Sequence, residues 1–249
     1  MFAIIGYGFV GKGTEYLLNI CGQSTNVKIH DPAHDLEISN WKHIDYGFLC
    51  VPTPQGTDGE LDLSILTEVY NMMLDNDVVP VIRSTIGPDQ VGLFPKAIMM
   101  PEFLREANWI SDVEDINTLI IGGDRASDLT PVFSRVKSVQ VTTAVTAAMY
   151  KLSRNALLAT KVVLANHIKQ VCDSMGADYD QLTEMYQLDN TIGQSHWSVP
   201  GPDGKMGFGG KCFPKDLSHM SALCDSDNNL FEHVEKINSE IRGNDDGGS

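Results

Sequence analysis

Phe2-Ala3-Ile4-Ile5-Gly6-Tyr7-Gly8-Phe9-Val10-Gly11 stands at the start of the chain and decides its reading. Four apolar residues make a short strand. Glycine closes it, and a helical pattern follows with apolar residues at Tyr16, Leu17 and Ile20. A G-x-G-x-x-G in that setting is a dinucleotide cradle. Gly6 permits the tight turn and Gly8 lets a pyrophosphate approach the backbone. Gly11 lets the helix pack close, with Phe9 and Val10 at its positive N-terminus, aimed at the phosphates. Asp31 lies 20 residues after Gly11, at the end of the second strand. Its carboxylate would accept hydrogen bonds from the adenosine ribose and repel a 2′-phosphate, which favours NAD over NADP. Among 22 glycines the fingerprint alone would be weak; the strand–turn–helix context carries it.

Outward from this turn, further strands are read at residues 26–30, 46–51 (YGFLCV), 77–83 (DVVPVIR), 96–100 and 118–121, where the series closes. Pro80 counts against a central place for the fourth. Strands separated by helical patterns predict an α/β fold, a Rossmann-type domain with a mostly parallel sheet over residues 1–140. Residues 144–174 then hold no proline or glycine, with Met149, Leu152, Ala156, Ala159, Val163, Asn166 and Ile168 along one interrupted face. At ~1.5 Å per residue this predicts a helix of about 45 Å, a spine or a dimer surface, ended by Gly176. A helix at 179–188, a Gly/Pro-rich loop at 200–214 and helices at 216–224 and 229–241 complete an α-helical domain over 141–242. Residues 243–249 (GNDDGGS) read as a solvated, flexible tail.

The 249 residues carry 18 Lys and Arg against 33 Asp and Glu, a formal charge of −15, in an otherwise ordinary globular composition. That balance excludes sequence-independent nucleic-acid binding and docking on an anionic membrane. No apolar run is long enough to span a bilayer, and the chain enters its first strand without a basic leader, so a cytoplasmic protein is expected. Five cysteines, an odd number without a C-x-x-C, read as reduced thiols. His30, Asp31 and His34 could suggest a metal, but histidines beside a strand end read as surface residues, and no metal is expected. Cys21, Cys50, Cys172 and Cys224 lie on apolar patterns and read as core. Cys212 differs: it sits in Gly207-Phe208-Gly209-Gly210-Lys211-Cys212-Phe213-Pro214-Lys215-Asp216, where two lysines and a helix start would favour a thiolate. The residues alone leave nucleophile and structural loop equally open.

This segment resembles the active-site stretch of the UDP-glucose/GDP-mannose 6-dehydrogenase family, and other segments agree in order. Phe48-Leu49-Cys50-Val51-Pro52-Thr53-Pro54 is similar to the family's third cofactor-side strand and turn, which would put Thr53 at the cofactor. Ser84-Thr85-Ile86, Pro101-Glu102-Phe103-Leu104-Arg105-Glu106, and Lys151 with Asn155 match three further motifs. The similarity runs from Met1 to about residue 241.

The resemblance implies a four-electron oxidation of a nucleotide sugar with NAD: a C6 alcohol goes to the aldehyde, then through a Cys212 thioester to the carboxylate. Lys151 and Asn155, one helical turn apart, would face the oxyanion and the substrate. Asp216 and Thr85 would hold a water, Thr85 also near the cofactor, and Glu102 would activate water. Phe103, Leu104, Arg105 and Glu106 would line the sugar-nucleotide site together with Phe208 and Gly209. Glu106 and Lys215 would also approach the cofactor. A homodimer through the 144–174 helix is expected. Family members continue into a second α/β domain where this sequence stops. Two alternatives therefore stand beside the dehydrogenase: a non-catalytic NAD-binding or dimerisation module (or an enzyme completed by a partner), and a two-electron β-hydroxyacid dehydrogenase.

Overall fold

The computed structural model describes residues 1–55, 61–210 and 212–246. They form two compact units divided after Lys151. The first holds seven strands: β1 (Phe2–Ile5), β2 (Val27–His30), β3 (Tyr46–Leu49), β4 (Val79–Ile82), β5 (Ile98–Met99), β6 (Thr118–Gly122) and β7 (Ser138–Thr142). With them go α1 (Phe9–Ile20), α2 (Ser64–Asp75), α3 (Trp109–Glu114) and α4 (Ala126–Leu129). The sheet order is β2-β1-β3-β4-β5-β6-β7, parallel throughout except for the β5–β6 pair. The order reverses between β1 and β3, the switch point where such sheets hold ligands.

Alternate residues of the central strands feed two cores. Ala3, Ile5, Leu49 and Ile82 pack with Leu66 and Met73 of α2, while Phe2, Ile4, Phe48 and Val81 pack with Leu17 and Leu18 of α1. Burial on both faces explains why these strands read as continuous apolar runs.

The sequence reading is corrected at two strands. β4 is the fourth of seven, so Pro80 is central after all. Val79 N–H donates to Asp45 O and Arg83 N–H to Leu49 O, each at 3.0 Å, so the odd positions of β4 face β3 and the Pro80 nitrogen faces the other side. There the pairing with β5 begins only at Val81↔Ile98, and the proline forfeits no ladder bond. The series also does not close at residue 121, because β7 pairs beside β6.

The helix α5 (Ala144–Met175) runs as one element of 32 residues and contains the division between the units. Leu152, Ala156, Ala159, Val163 and Asn166 are buried along it, whereas Met149 is 38% exposed and Ile168 half-buried. Gly176 ends it at φ 71°, and the Ala177 N–H turns back to Cys172 O at 2.9 Å, a Schellman closure. The second unit continues with α6 (Tyr179–Leu188), α7 (Phe213–Ala222) and α8 (Leu230–Asp246). α6 is capped by Asp178, whose carboxylate accepts from the Asp180 and Gln181 N–H groups. α7 begins three residues earlier than read from sequence, because Pro214 fits a first helical turn, where its missing N–H costs nothing. α8 continues through Asp246, so residues 243–246 are helical rather than tail, and 247–249 lie outside the described residues. Among the described residues no helix is long and apolar enough to cross a membrane.

Candidate active site

The glycine turn is tight where the fingerprint requires it and open where a ligand would come. A Cβ at Gly6 would lie 2.8 Å from Cys50 O, and one at Gly11 only 2.1 Å from Gly6 O. A Cβ at Gly8 would meet nothing within 4 Å. The helical ladder of α1 starts at Lys12 N–H to Gly8 O (3.0 Å), so Phe9, Val10 and Gly11 form the first turn, with N–H groups ahead of that ladder. Asp31, at the end of β2, comes to the same turn: its Oδ2 accepts the Tyr7 N–H at 2.7 Å and lies 3.0 Å from His34 Nδ1. Burial pushes this carboxyl up, but the hydrogen bonds from Tyr7, His34 and Ala33 outweigh it and hold its pKa below the usual value. On the neighbouring strand ends, Thr53 Oγ1 donates to Thr85 O at 2.8 Å and Ser84 Oγ to Val51 O at 2.6 Å. Open backbone at Gly8, a helix N-terminus and an anionic Asp31 fit a dinucleotide with a free ribose 2′-hydroxyl.

Beyond β5 the chain supplies a buried ion pair in the same unit. Glu102 is 8% exposed and Lys151 4%. Lys151 Nζ donates to Glu102 Oε1 at 3.0 Å and to Glu102 O at 2.6 Å, while the other carboxylate oxygen accepts the Leu104 N–H at 2.7 Å. Burial alone would raise the Glu102 carboxyl. Lys151, the Leu104 N–H and the Arg83 guanidinium together overcome that and hold it below its ordinary value. Phe103 packs edge-on to Tyr150, ring centroids 5.6 Å apart, with Lys151 Nζ 5.5 Å from its own centroid.

The rest of that motif separates. Leu104 is a core residue, close enough that a Cβ at Gly13 would lie 2.5 Å from its Cδ1. Arg105 is exposed and clamped to Asp112 through Nε at 3.1 Å and Nη2 at 2.5 Å; Glu106 is exposed. Arg83 escaped the sequence reading. The signal was available, an arginine at the end of an otherwise apolar strand.

In the second unit Asn155 Nδ2 donates to Asp216 Oδ2 at 2.6 Å, and Lys215 Nζ lies 3.7 Å from Asp216 Oδ1. Asp216 is 1% exposed, and its N–H closes the first turn of α7 on Cys212 O at 2.9 Å. Cys212 is the N-cap of α7 and is exposed, whereas Cys21 and Cys172 are buried and Cys50 and Cys224 half-buried. Lys211, read as the second flanking lysine, lies outside the described residues.

The glycine loop before Cys212 owes two of its glycines to the protein itself. A Cβ at Gly207 would lie 2.5 Å from Asn238 Oδ1, and one at Gly209 2.7 Å from Arg242 Nη2. Asn238 accepts the Phe208 N–H at 2.7 Å and donates to Phe208 O at 3.0 Å, as a neighbouring strand would, and Asn166 accepts the Gly207 N–H at 3.1 Å. The Phe208 side chain is 5% exposed in the core of this unit, so it faces the interior rather than a ligand. Gly210, at φ 79°, is the loop glycine whose Cβ position is open. Asn166, Asn238 and Arg242 were not read as site residues, since asparagines inside apolar helical spacing look like ordinary helix positions.

Residues 33–139 match the NAD binding domain of the UDP-glucose/GDP-mannose dehydrogenase family, and residues 145–240 match its central domain. A UDP-glucose 6-dehydrogenase of Rickettsia bellii is 30% identical over 222 residues, 80% of this chain and 50% of that protein. The UDP-glucose 6-dehydrogenase YwqF of Bacillus subtilis is 31% identical over 78% of this chain and 48% of its own length. The chain thus spans about half the length of the curated relatives it matches. In fold it resembles a UDP-glucose dehydrogenase from Pyrobaculum islandicum, with a TM-score of 0.78 and 21% identity over 98% of this chain and 68% of that one. A 3-hydroxyisobutyrate dehydrogenase of Mycobacterium tuberculosis shares the fold at a TM-score of 0.69 and 18% identity, over 97% and 93% of the two chains. Two successive domain models of one family cover most of the sequence, and the glycine turn and Asp31 supply the cradle the first domain needs: the chain belongs to the UDP-glucose/GDP-mannose dehydrogenase family.

Proposed function

We propose that this chain is the cofactor-binding and nucleophile-bearing part of an enzyme that oxidises the C6 alcohol of a nucleotide sugar to the carboxylate. Residues 1–140 would bind NAD and residues 141–242 would carry the cysteine loop. The observation that carries the reading is Cys212 itself, exposed at the head of α7 one turn before the buried Asp216 that binds Asn155. A two-electron β-hydroxyacid oxidation needs no such cysteine.

When bound, NAD accepts a hydride in each of the two oxidations. Lys151 and Asn155, four residues apart on α5, hold the substrate oxygen as it becomes an alkoxide, and the hydroxyl proton leaves to water. The Cys212 sulfur then adds to the aldehyde carbon as its proton leaves to water, giving a thiohemiacetal oxyanion that the same two groups hold. Loss of the second hydride leaves a thioester on Cys212. Glu102, ionised by its surroundings, takes a proton from water as the water oxygen attacks the thioester carbon. The C–S bond breaks as the proton taken by Glu102 passes to the sulfur, and the acid leaves with Cys212 returned as thiol. Thr85 bears on the cofactor in the first unit and Asp216 on a water in the second, and Phe103, Arg105, Glu106, Lys215 and Gly209 bear on the ligands.

A homodimer through α5 is part of the proposal. Leu157, Leu164 and Val171, spaced seven residues apart, are 68%, 50% and 60% exposed, the stripe a partner helix would cover.

The test is NADH formation when the purified chain meets NAD and a panel of UDP- and GDP-hexoses, beside Cys212→Ala. NADH with acid product in wild type only supports the reading. NAD binding without turnover, in the chain alone and with a co-purified partner, would favour the binding-module alternative.

A further inference from the structure

Arg83 has no part in the chemistry above, yet it is 2% exposed immediately after β4. Its N–H is tied to Leu49 O at 3.0 Å, its Nη1 reaches Met100 O at 3.5 Å, and its Nε has no hydrogen-bond partner among the described residues. Met100 precedes Glu102 by two residues. The first unit therefore buries two cations, Arg83 and Lys151, and two carboxylates: Asp31 at the glycine turn, held by Tyr7 and His34, and Glu102, which Lys151 contacts and which follows the Met100 carbonyl that Arg83 reaches. A guanidinium keeps its proton even here, and a buried cation needs an anion. Cys50, the other acid group facing Arg83, is pushed up to about 11 by burial and is a neutral thiol near pH 7. That leaves Glu102, whose charge and that of Arg83 favour one another.

Lys151 has two competing duties. It neutralises Glu102 in this structure, and in the proposed function, on which this inference rests, it must hold a substrate oxyanion. Drawing the ammonium toward substrate would strand a buried carboxylate, which low dielectric penalises heavily. We propose that Arg83 is a positioning residue, a standing second counter-ion that keeps Glu102 anionic while Lys151 serves the substrate oxygen. Glu102 can then accept a proton from water at the step when Lys151 is occupied, which a single shared cation would not allow.

The test titrates the Glu102 carboxyl carbon by NMR in the full chain with labelled glutamate, the signal assigned by its loss in Glu102→Gln. In Lys151→Met, Glu102 remains ionised at pH 6. Adding Arg83→Met raises its midpoint by more than about one pH unit, and Arg83→Lys in the same background restores it. A midpoint that does not respond to Arg83 in the Lys151→Met background overturns the proposal, as does one already above pH 6 in Lys151→Met alone. Amide fingerprints report the fold of each variant. Should the double variant not fold, Arg83→Gln with Lys151 intact gives the reading: an upward shift is expected, and none would overturn the inference. The titration requires no turnover. A chain with the Arg83-dependent shift and no NADH formation loses the proposed function but keeps this pairing; NADH formation without the shift does the reverse.

Discussion

Cys50 and Cys212 carry the same side chain in opposite environments. Cys50 lies behind the glycine turn, 3.6 Å from Thr14 Oγ1, with its thiol pushed up to about 11 by burial. Cys212 is exposed at a helix start. Iodoacetamide at pH 7.5 should therefore label Cys212 first and leave Cys50 and the buried Cys21 and Cys172 unmodified in the folded chain, as peptide mass mapping would report. Labelling of Cys50 at a comparable rate would contradict that burial. Glu102 gives a second prediction. Its folded-state pKa is depressed, so its ionisation stabilises the first unit above the unfolded carboxylate range of roughly 4.3, and that stability is lost as pH falls through the lower folded value. The melting temperatures of wild type and Glu102→Gln should converge as pH drops below about 4.5 and separate above it, wild type higher. Parallel curves would mean that the Lys151 pair contributes no linkage.

At the scale of elements, the glycine loop is held as a strand would be, by the side-chain amide of Asn238 on α8. Asn238→Ala removes both bonds and leaves the buried Phe208 backbone unpaired, which should cost about 2–3 kcal/mol in urea unfolding. A change below about half a kcal/mol would show that water replaces the amide freely. Much of this level was legible in the sequence. The first turn, α5 with its Gly176 stop, and α6 were read where they lie, because glycine punctuation and long periodicity are local signals. Three features were not local. Whether Pro80 costs a ladder bond depends on where β5 starts. β7 (Ser-Val-Gln-Val-Thr) is a half-exposed strand at the end of the sheet order, with a muted apolar pattern. The start of α7 at Phe213 depends on a proline that serves as a helix opener rather than a breaker. The candidate site divides in the same way. The Gly6–Gly11 fingerprint and Asp31 could be read from spacing, but the interior-facing Leu104 and Phe208, and the buried Arg83, depend on tertiary packing that no motif encodes.

At the scale of the whole molecule, a chain about half the length of its curated relatives bears two units and a long helix with an apolar stripe. If α5 pairs with a second copy, Leu157→Glu with Leu164→Glu should halve the mass seen by light scattering and leave the helical signal intact. An unchanged mass would remove α5 from the interface. The proposed chemistry turns on Cys212, and counting products tests it: NADH and uronic acid measured together after a nucleotide hexose and excess NAD meet the protein with whatever subunit it co-purifies with. Two NADH are expected per acid formed, and neither product from Cys212→Ala. One NADH per released aldehyde or ketone, or turnover that survives the loss of the cysteine, would contradict it.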